Sequence, residues 1–282
     1  GAIDEVGCGC IYVSPTGNNA NAGSANSPLR TLTAAIALSA SDAGLPKIVC
    51  AASGTLCPSN FDYAEAVTMK NGVSVYGGYL QQTITDGGTW PRCGTGVTRI
   101  TAQNAKGVLF DNTVTAATVI DGFDLRGANT PTNAAVTVEG STGAIINDNT
   151  ITGSGGNVSM GVDVQQAGTP VISRNTIVGG TGATQAIGVR SQGSAPVVQL
   201  SCGTLDATGR CPTFACSNIA MGDFIRGRSG GNNGSESYGV WLDSSPGAVI
   251  QESAICSSQS TGSSAGVRIT GNAAGTIVRT SA

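Results

Sequence analysis

Six segments of this chain repeat one pattern in one order. They start at Gly107-Val108, Ala135-Val136, Gly161-Val162, Gly188-Val189, Gly239-Val240 and Gly266-Val267, so successive starts lie 28, 26, 27, 51 and 27 residues apart. Each start opens a short apolar alternation such as Val162-Asp163-Val164. A small-residue turn, a second apolar pair such as Ile145-Ile146 or Val171-Ile172, and an Asn-Thr-Ile or similar step come after it. A unit of that length with short strands and no helix-period segment cannot bury its apolar side alone. Stacking on its neighbours solves this, and the expected fold is an all-β solenoid of coils. The 51-residue gap reads as one coil carrying an inserted loop at about 200–238.

Composition agrees with a stack of coils. Of 282 residues, 42 are Gly, 11% are charged and 4% are aromatic. Such a chain fills its interior with rows of Val, Ile, Leu and Ala and makes its many turns from Gly, Asn and Ser. A net charge of −3 with only 14 scattered Lys and Arg lacks the concentrated basic face that nucleic acid requires, so no nucleic-acid partner is expected. No apolar run is long enough to span a membrane as a helix.

Nine cysteines stand beside no histidine: Cys8, Cys10, Cys50, Cys57 and Cys93 early, Cys202, Cys211, Cys216 and Cys256 late. The spacings are not those of a zinc site, and no metal site is expected from them. A disulfide framework in an oxidising compartment is the expectation, with each group pairing within itself and one thiol left over.

Two parts are expected along the chain: a lead-in with a capping helix over 1–46, and the coil stack over 47–282. Ile11-Tyr12-Val13 reads as a strand. Ser27 reads as an N-cap with Pro28 at the first helical position, then an apolar stripe of Leu29, Leu32, Ile36 and Ala40 and a stop at Gly44 and Pro46. Such a helix would cover the open interior of the first coil. Strands are expected at 47–50, 65–68, 73–76, where Gly77-Gly78-Tyr79 ends the strand, and 97–100.

Several of these residues carry a resemblance. Tyr12-Val13-Ser14-Pro15-Thr16-Gly17, Gly23-Ser24, Ser27-Pro28-Leu29-Arg30-Thr31-Leu32 and Ala35-Ile36 resemble the N-terminal signature of secreted right-handed parallel β-helix proteins of the pectate-lyase-like superfamily. The stretch from Tyr63-Ala64-Glu65 to Gly77-Gly78-Tyr79 is similar to the next segment of many bacterial cell-surface members. The resemblance implies a right-handed parallel β-helix in a secreted, extracellular or cell-surface protein. It does not imply one activity, since that superfamily mixes enzymes with adhesins.

Within such a helix, Asn149 and Asn175 would stack as a turn ladder, with Ser217 and Ser253 in the corresponding later places. The insertion carries a basic glycine-rich tip, Arg226-Gly227-Arg228-Ser229-Gly230-Gly231, and is either a functional loop or a disulfide-pinned excursion. The last unit keeps its apolar pattern to residue 278. End-to-end self-association and a missing C-terminal continuation are both compatible with that.

Alternation along the first strand of each coil points Thr137, Asp163, Arg190, Trp241 and Arg268 outward, with Glu139, Gln165, Gln192, Asp243 and Thr270 two residues on. Glu139, Asp163 and Arg190 are the catalytic candidates, and Trp241, Asp243 and Arg268 the ligand-binding ones. The resemblance implies a groove for an extended polysaccharide on this face, Ca²⁺ entering only if the protein is a lyase. Against an enzyme stand the absence of His and of a dense Asp cluster, and three lysines (Lys47, Lys70, Lys106) read as lying off this face. Asp121-Gly122-Phe123-Asp124 reads first as a turn. The sequence therefore favours a structural or adhesive surface protein whose partner is a polysaccharide or another cell-surface component. The alternative is a polysaccharide lyase or glycoside hydrolase.

Overall fold

A computed structural model describes residues 9–84, 88–93, 96–182, 184–199, 224–229, 236–251, 253–256 and 262–279. The described residues form a right-handed parallel β-helix with one short helix at its N-terminal end. Three all-parallel sheets run the length of the stack. The first holds nine strands, beginning with Ile11–Val13 and Ile48–Gly54 and including Ser74–Leu80, Thr118–Asp121, Ala144–Asn147, Val171–Ser173 and Val197–Gln199. The second has seven, among them Val108–Phe110, Thr132–Glu139, Val158–Gln165, Gln185–Gln192, Glu236–Asp243 and Ser264–Thr270. The third also has seven, among them Asn60–Ala64, Val97–Thr101, Phe123–Arg126, Thr150–Thr152, Thr176–Gly182 and Phe224–Ser229. The chain visits the second, first and third sheets in turn, once per coil.

Register turns the repeat into a core. Val108, Val136, Val162, Val189, Val240 and Val267 are consecutive partners across the second sheet. Ile100, Leu125, Ile151, Ile177, Ile225 and Ile255 do the same in the third. All but Val267 and Ile255, which pack partly buried at the far end, are within 1% of full burial. Each such side chain contributes about 1.5–3 kcal/mol of gross transfer free energy, most of it offset by chain ordering.

The helix caps the stack as expected but begins later. It spans Leu32–Ser41, its N-cap is Thr31, and Leu32, Ala35, Ile36 and Ser39 are its buried face. Ala40 is exposed, and the helix ends at Ser41, before Gly44 and Pro46. Ser27, Pro28 and Leu29 are not helical, because the Leu29 backbone bridges Val13: its N–H donates to the Tyr12 carbonyl (2.9 Å) and its carbonyl accepts from Ser14 (2.9 Å). The start is fixed from the next coil. The Glu65 carboxylate accepts from the N–H groups of Leu32 (2.8 Å) and Thr33 (2.9 Å), placing negative charge at the helix N-terminus.

Register imposes other corrections. The strand at 74 does not stop at Gly77 but runs to Leu80, with Tyr79 opposite Ala52 beyond an irregularity. Phe224–Ser229 is a strand of the third sheet, so Arg226-Gly227-Arg228-Ser229 is not a loop tip. Ser217 lies outside the described residues, as do Gly230 and Gly231.

Two disulfides form within the early group, Cys10–Cys50 and Cys57–Cys93. Cys8, Cys202, Cys211 and Cys216 lie outside the described residues. Cys256 ends a strand of the third sheet, and its side chain lies outside them too. Among the described residues no helix is long and apolar enough to cross a membrane. At the last coil, Ser264–Thr270 and Ile277–Arg279 are the terminal strands of their sheets, and Ile269, Ile277 and Val278 are exposed.

Candidate functional site

The outward row of the second sheet is in the register expected from alternation: Thr137 opposes Asp163, Asp163 opposes Arg190, Arg190 opposes Trp241 and Trp241 opposes Arg268. The insertion therefore occupies one coil, and the two halves of the row are continuous. Asp163 and Arg190 form a two-point ion pair, Arg190 Nε to Oδ1 at 2.8 Å and Nη2 to Oδ2 at 2.7 Å. Asp163 is only 3% exposed, and Gln165 donates a further hydrogen bond to it. Both carboxylate oxygens are thus occupied.

Glu139 does not join them. It sits opposite Gln165 and pairs with Lys106 at 2.7 Å, so Lys106 does reach this face, contrary to the expectation. The Lys106 backbone lies in the turn just before Val108, one coil earlier, and its long side chain spans the gap.

Further along the row, the Arg268 guanidinium lies over the rings of Tyr238 (4.7 Å) and Trp241 (4.9 Å) and pairs with Glu236 at 3.5 Å. Trp241 Nε1 donates to Thr270 (3.0 Å), whose hydroxyl donates to Asp243 (3.1 Å). Trp241 and Arg268 are in contact, while Asp243 reaches them only through Thr270. Alternation alone did not single out Tyr238. It is buried beside Met160 and Ile187 in an apolar cluster separate from the main core. Burial, then the nearby Glu236, pushes its phenol up from the usual tyrosine value, with Arg268 opposing.

A second site lies at the corner between the first and third sheets, where the Asp121-Gly122 step predicts only a turn. A cleft of about 540 Å³ opens there. Its floor includes the turn residues Gly122 (φ 80°) and Asp148 (φ 55°), and Arg174 (φ 55°) holds the corresponding turn one coil further on, all three in the left-handed region. Below Asp148 and Arg174 runs the expected ladder. Asn175 Oδ1 accepts from the Asn149 N–H (3.0 Å) and side-chain amide (3.1 Å), and both side chains are buried. Ser253 takes the same place, donating to the Gln251 carbonyl as Asn175 does to that of Ser173.

One wall of the cleft is the segment 88–93, which folds back on Ser74–Leu80. Leu80 N donates to Pro91 O (2.8 Å) and Cys93 N to Gly78 O (2.7 Å), while Trp90 is buried against Tyr12 and Cys93 is tied to Cys57. This fixes Arg92, which donates to Asp121 (2.8 Å) and to the Gly77 carbonyl. The other Asp121 oxygen accepts from Asn147 (2.6 Å). On the third sheet Arg99 opposes Asp124, which takes both Arg99 (2.8 Å) and Arg126 (3.0 Å). Asp148 and Thr150 complete the far side. The signal was present in the sequence. With Ile100 and Leu125 inward, alternation puts Arg99, Asp124 and Arg126 outward, but only the coil register sets Arg99 beside Asp124.

Among the described residues no group of three or more Cys, Asp or Glu side chains could hold a metal ion. Nothing matches the chain among curated proteins, and nothing among solved structures. A family model described as a protein of unknown function, DUF1565, matches residues 15–204, from the lead-in through the corner cleft and the Asp163–Arg190 pair, while Trp241 and Arg268 lie beyond the match. The chain belongs to the DUF1565 family.

Proposed function

We propose that the protein is an extracellular or cell-surface structural protein that binds glycan chains on the outside of its β-helix without turning them over. The observation that carries this reading is the pairing of Asp163. The carboxylate best placed for acid–base work has both oxygens bound by Arg190 and almost no exposure, whereas a general acid or base must reach the proton it moves. A rigid surface laced with fixed polar groups suits recognition better, because little ordering remains to be done on binding. Two disulfides support an oxidising compartment. The stacked-coil fold supports the kinship with pectate-lyase-like proteins suggested by the N-terminal residues.

The test is a panel of uronate-containing and neutral polysaccharides, with and without Ca²⁺, read both for binding and for new reducing ends or unsaturated products. Binding without product is expected. Product formation that disappears in Asp163→Ala and Arg190→Ala would overturn the reading in favour of a lyase or hydrolase.

A further inference from the structure

Resting on that glycan-binding reading, we propose that the corner cleft is an oxyanion subsite, taking a carboxylate or sulfate group carried on a saccharide chain, with Arg99 in its lining as the main binding residue and Arg126, outside the lining but paired to Asp124, at its rim. The argument concerns which hydrogen-bonding capacity remains unspent. Asp121 uses one oxygen for Arg92 and the other for Asn147. Asp124 accepts from two guanidinium groups at once. Each oxygen of the two most buried acids of the cleft is therefore already engaged by a protein donor.

The donors are not all engaged. Among the described residues Arg99 donates only through Nε, leaving both Nη groups without a protein partner, and its side chain is 30% exposed and lines the cleft. Arg126, two residues beyond Asp124 and half exposed, spends Nε and Nη2 on Asp124 and keeps Nη1. Two arginines share Asp124, and Asp62, opposite Arg99 in the preceding coil and bound by the Thr101 hydroxyl, brings this row to charge balance. The neighbouring Arg92–Asp121 pair is balanced, and the exposed Asp148 is offset by Arg174 at 3.8 Å.

The cleft thus offers a ligand mainly the unspent guanidinium N–H groups of Arg99, the planar fork that guanidinium uses to hold planar or tetrahedral oxyanions. The glycine backbone at Gly77, Gly78 and Gly122 lets a ligand approach closely. Thr150 follows Asp124 in the same outward row and presents an exposed hydroxyl beside it. A neutral saccharide would need acceptors as well as donors, and here both oxygens of each buried acid already face a protein donor.

The test is titration calorimetry of the intact protein with an oligoglucuronate trisaccharide, a sulfated disaccharide and neutral cellotriose. Preferential binding of an acidic probe is expected, weakened at least tenfold in Arg99→Gln and by rising salt. The carboxylate and sulfate arms tell which group is taken. Arg126→Gln, on a half-exposed side chain, gives the same reading if Arg99→Gln disturbs the fold. Unchanged affinity for the acidic probes in both variants would overturn the proposal. So would cellotriose binding as tightly as the acidic probes, which would leave the glycan-binding reading standing. No binding of any saccharide here or in the wider panel would sink both.

Discussion

Asn175 gives its side-chain carbonyl to both the backbone and the side-chain amide of Asn149, one coil away, at 3.0 and 3.1 Å. Its own amide donates to Ile146 O and Ser173 O, and it is fully buried. Asn175→Ala would leave several buried polar groups unpaired at once. We expect a loss of about 3 kcal/mol, since each orphaned group costs about 1–3 kcal/mol, read as a lowered urea midpoint. Asn175→Ser should lose less, because Ser253 fills the equivalent place with one hydrogen bond. An Asn175→Ala protein as stable as the parent would show the ladder to be energetically idle.

The Asp163–Arg190 pair predicts a strong coupling. Each single alanine variant removes one partner from a largely buried pair, and we expect each to cost about 2 kcal/mol. The double variant should cost clearly less than the sum, because it leaves no charge stranded. Equilibrium unfolding of the four proteins measures this, and additive costs would contradict the geometry.

Two of the five tyrosines should resist ionisation. Tyr63 is buried with its hydroxyl in reach of the Val13 and Ala52 carbonyls (3.0 and 3.1 Å), and burial raises it well above the ordinary value of 10.0. Tyr238 is raised in the same direction. In the unfolded chain both ionise near 10, so their contribution to stability is complete below that pH and is lost as pH climbs toward their folded values. Absorbance near 295 nm should show delayed phenolate formation that coincides with unfolding. Tyr63→Phe should remove part of the delayed signal. A single ordinary transition for all tyrosines would refute this.

The disulfides predict the behaviour of native material. Peptide mapping without reductant should recover Cys10–Cys50 and Cys57–Cys93 cross-links. Cys57 and Cys93 are 36 residues apart, and closing such a loop is worth about 3–4 kcal/mol on a chain-entropy estimate. Because this bridge ties the cleft wall that carries Arg92, Cys57→Ser with Cys93→Ser should raise hydrogen exchange at 88–93 before the coils beyond Thr132 respond. Equal protection in both proteins would mean that backbone pairing with Gly78 and Leu80 holds the wall alone.

The coil repeat, the inward rows and the outward row from Thr137 to Arg268 were legible in the sequence, because a period of two along strands and of about 27 between them leaves one way to bury Val162, Val189 and Val240 together. That Cys10, Cys50, Cys57 and Cys93 pair among themselves was legible from their grouping, while which pairs with which was decided by the fold. Tertiary structure decided which outward neighbours bond. Glu139 turns from Asp163 to Lys106, and Arg268 turns from Asp243 to Glu236 and Tyr238, because long side chains choose among partners within reach across coils and not along the strand. The helix start likewise moved from Ser27 to Thr31, because Leu29 was needed beside Val13 and Glu65, far along the chain, supplied the charge at the N-terminus. The corner cleft is tertiary throughout. Arg92, Arg99, Asp121 and Asp124 come from two coils and a folded-back loop, and only the register of sheets laid one coil upon the next brings them to one wall.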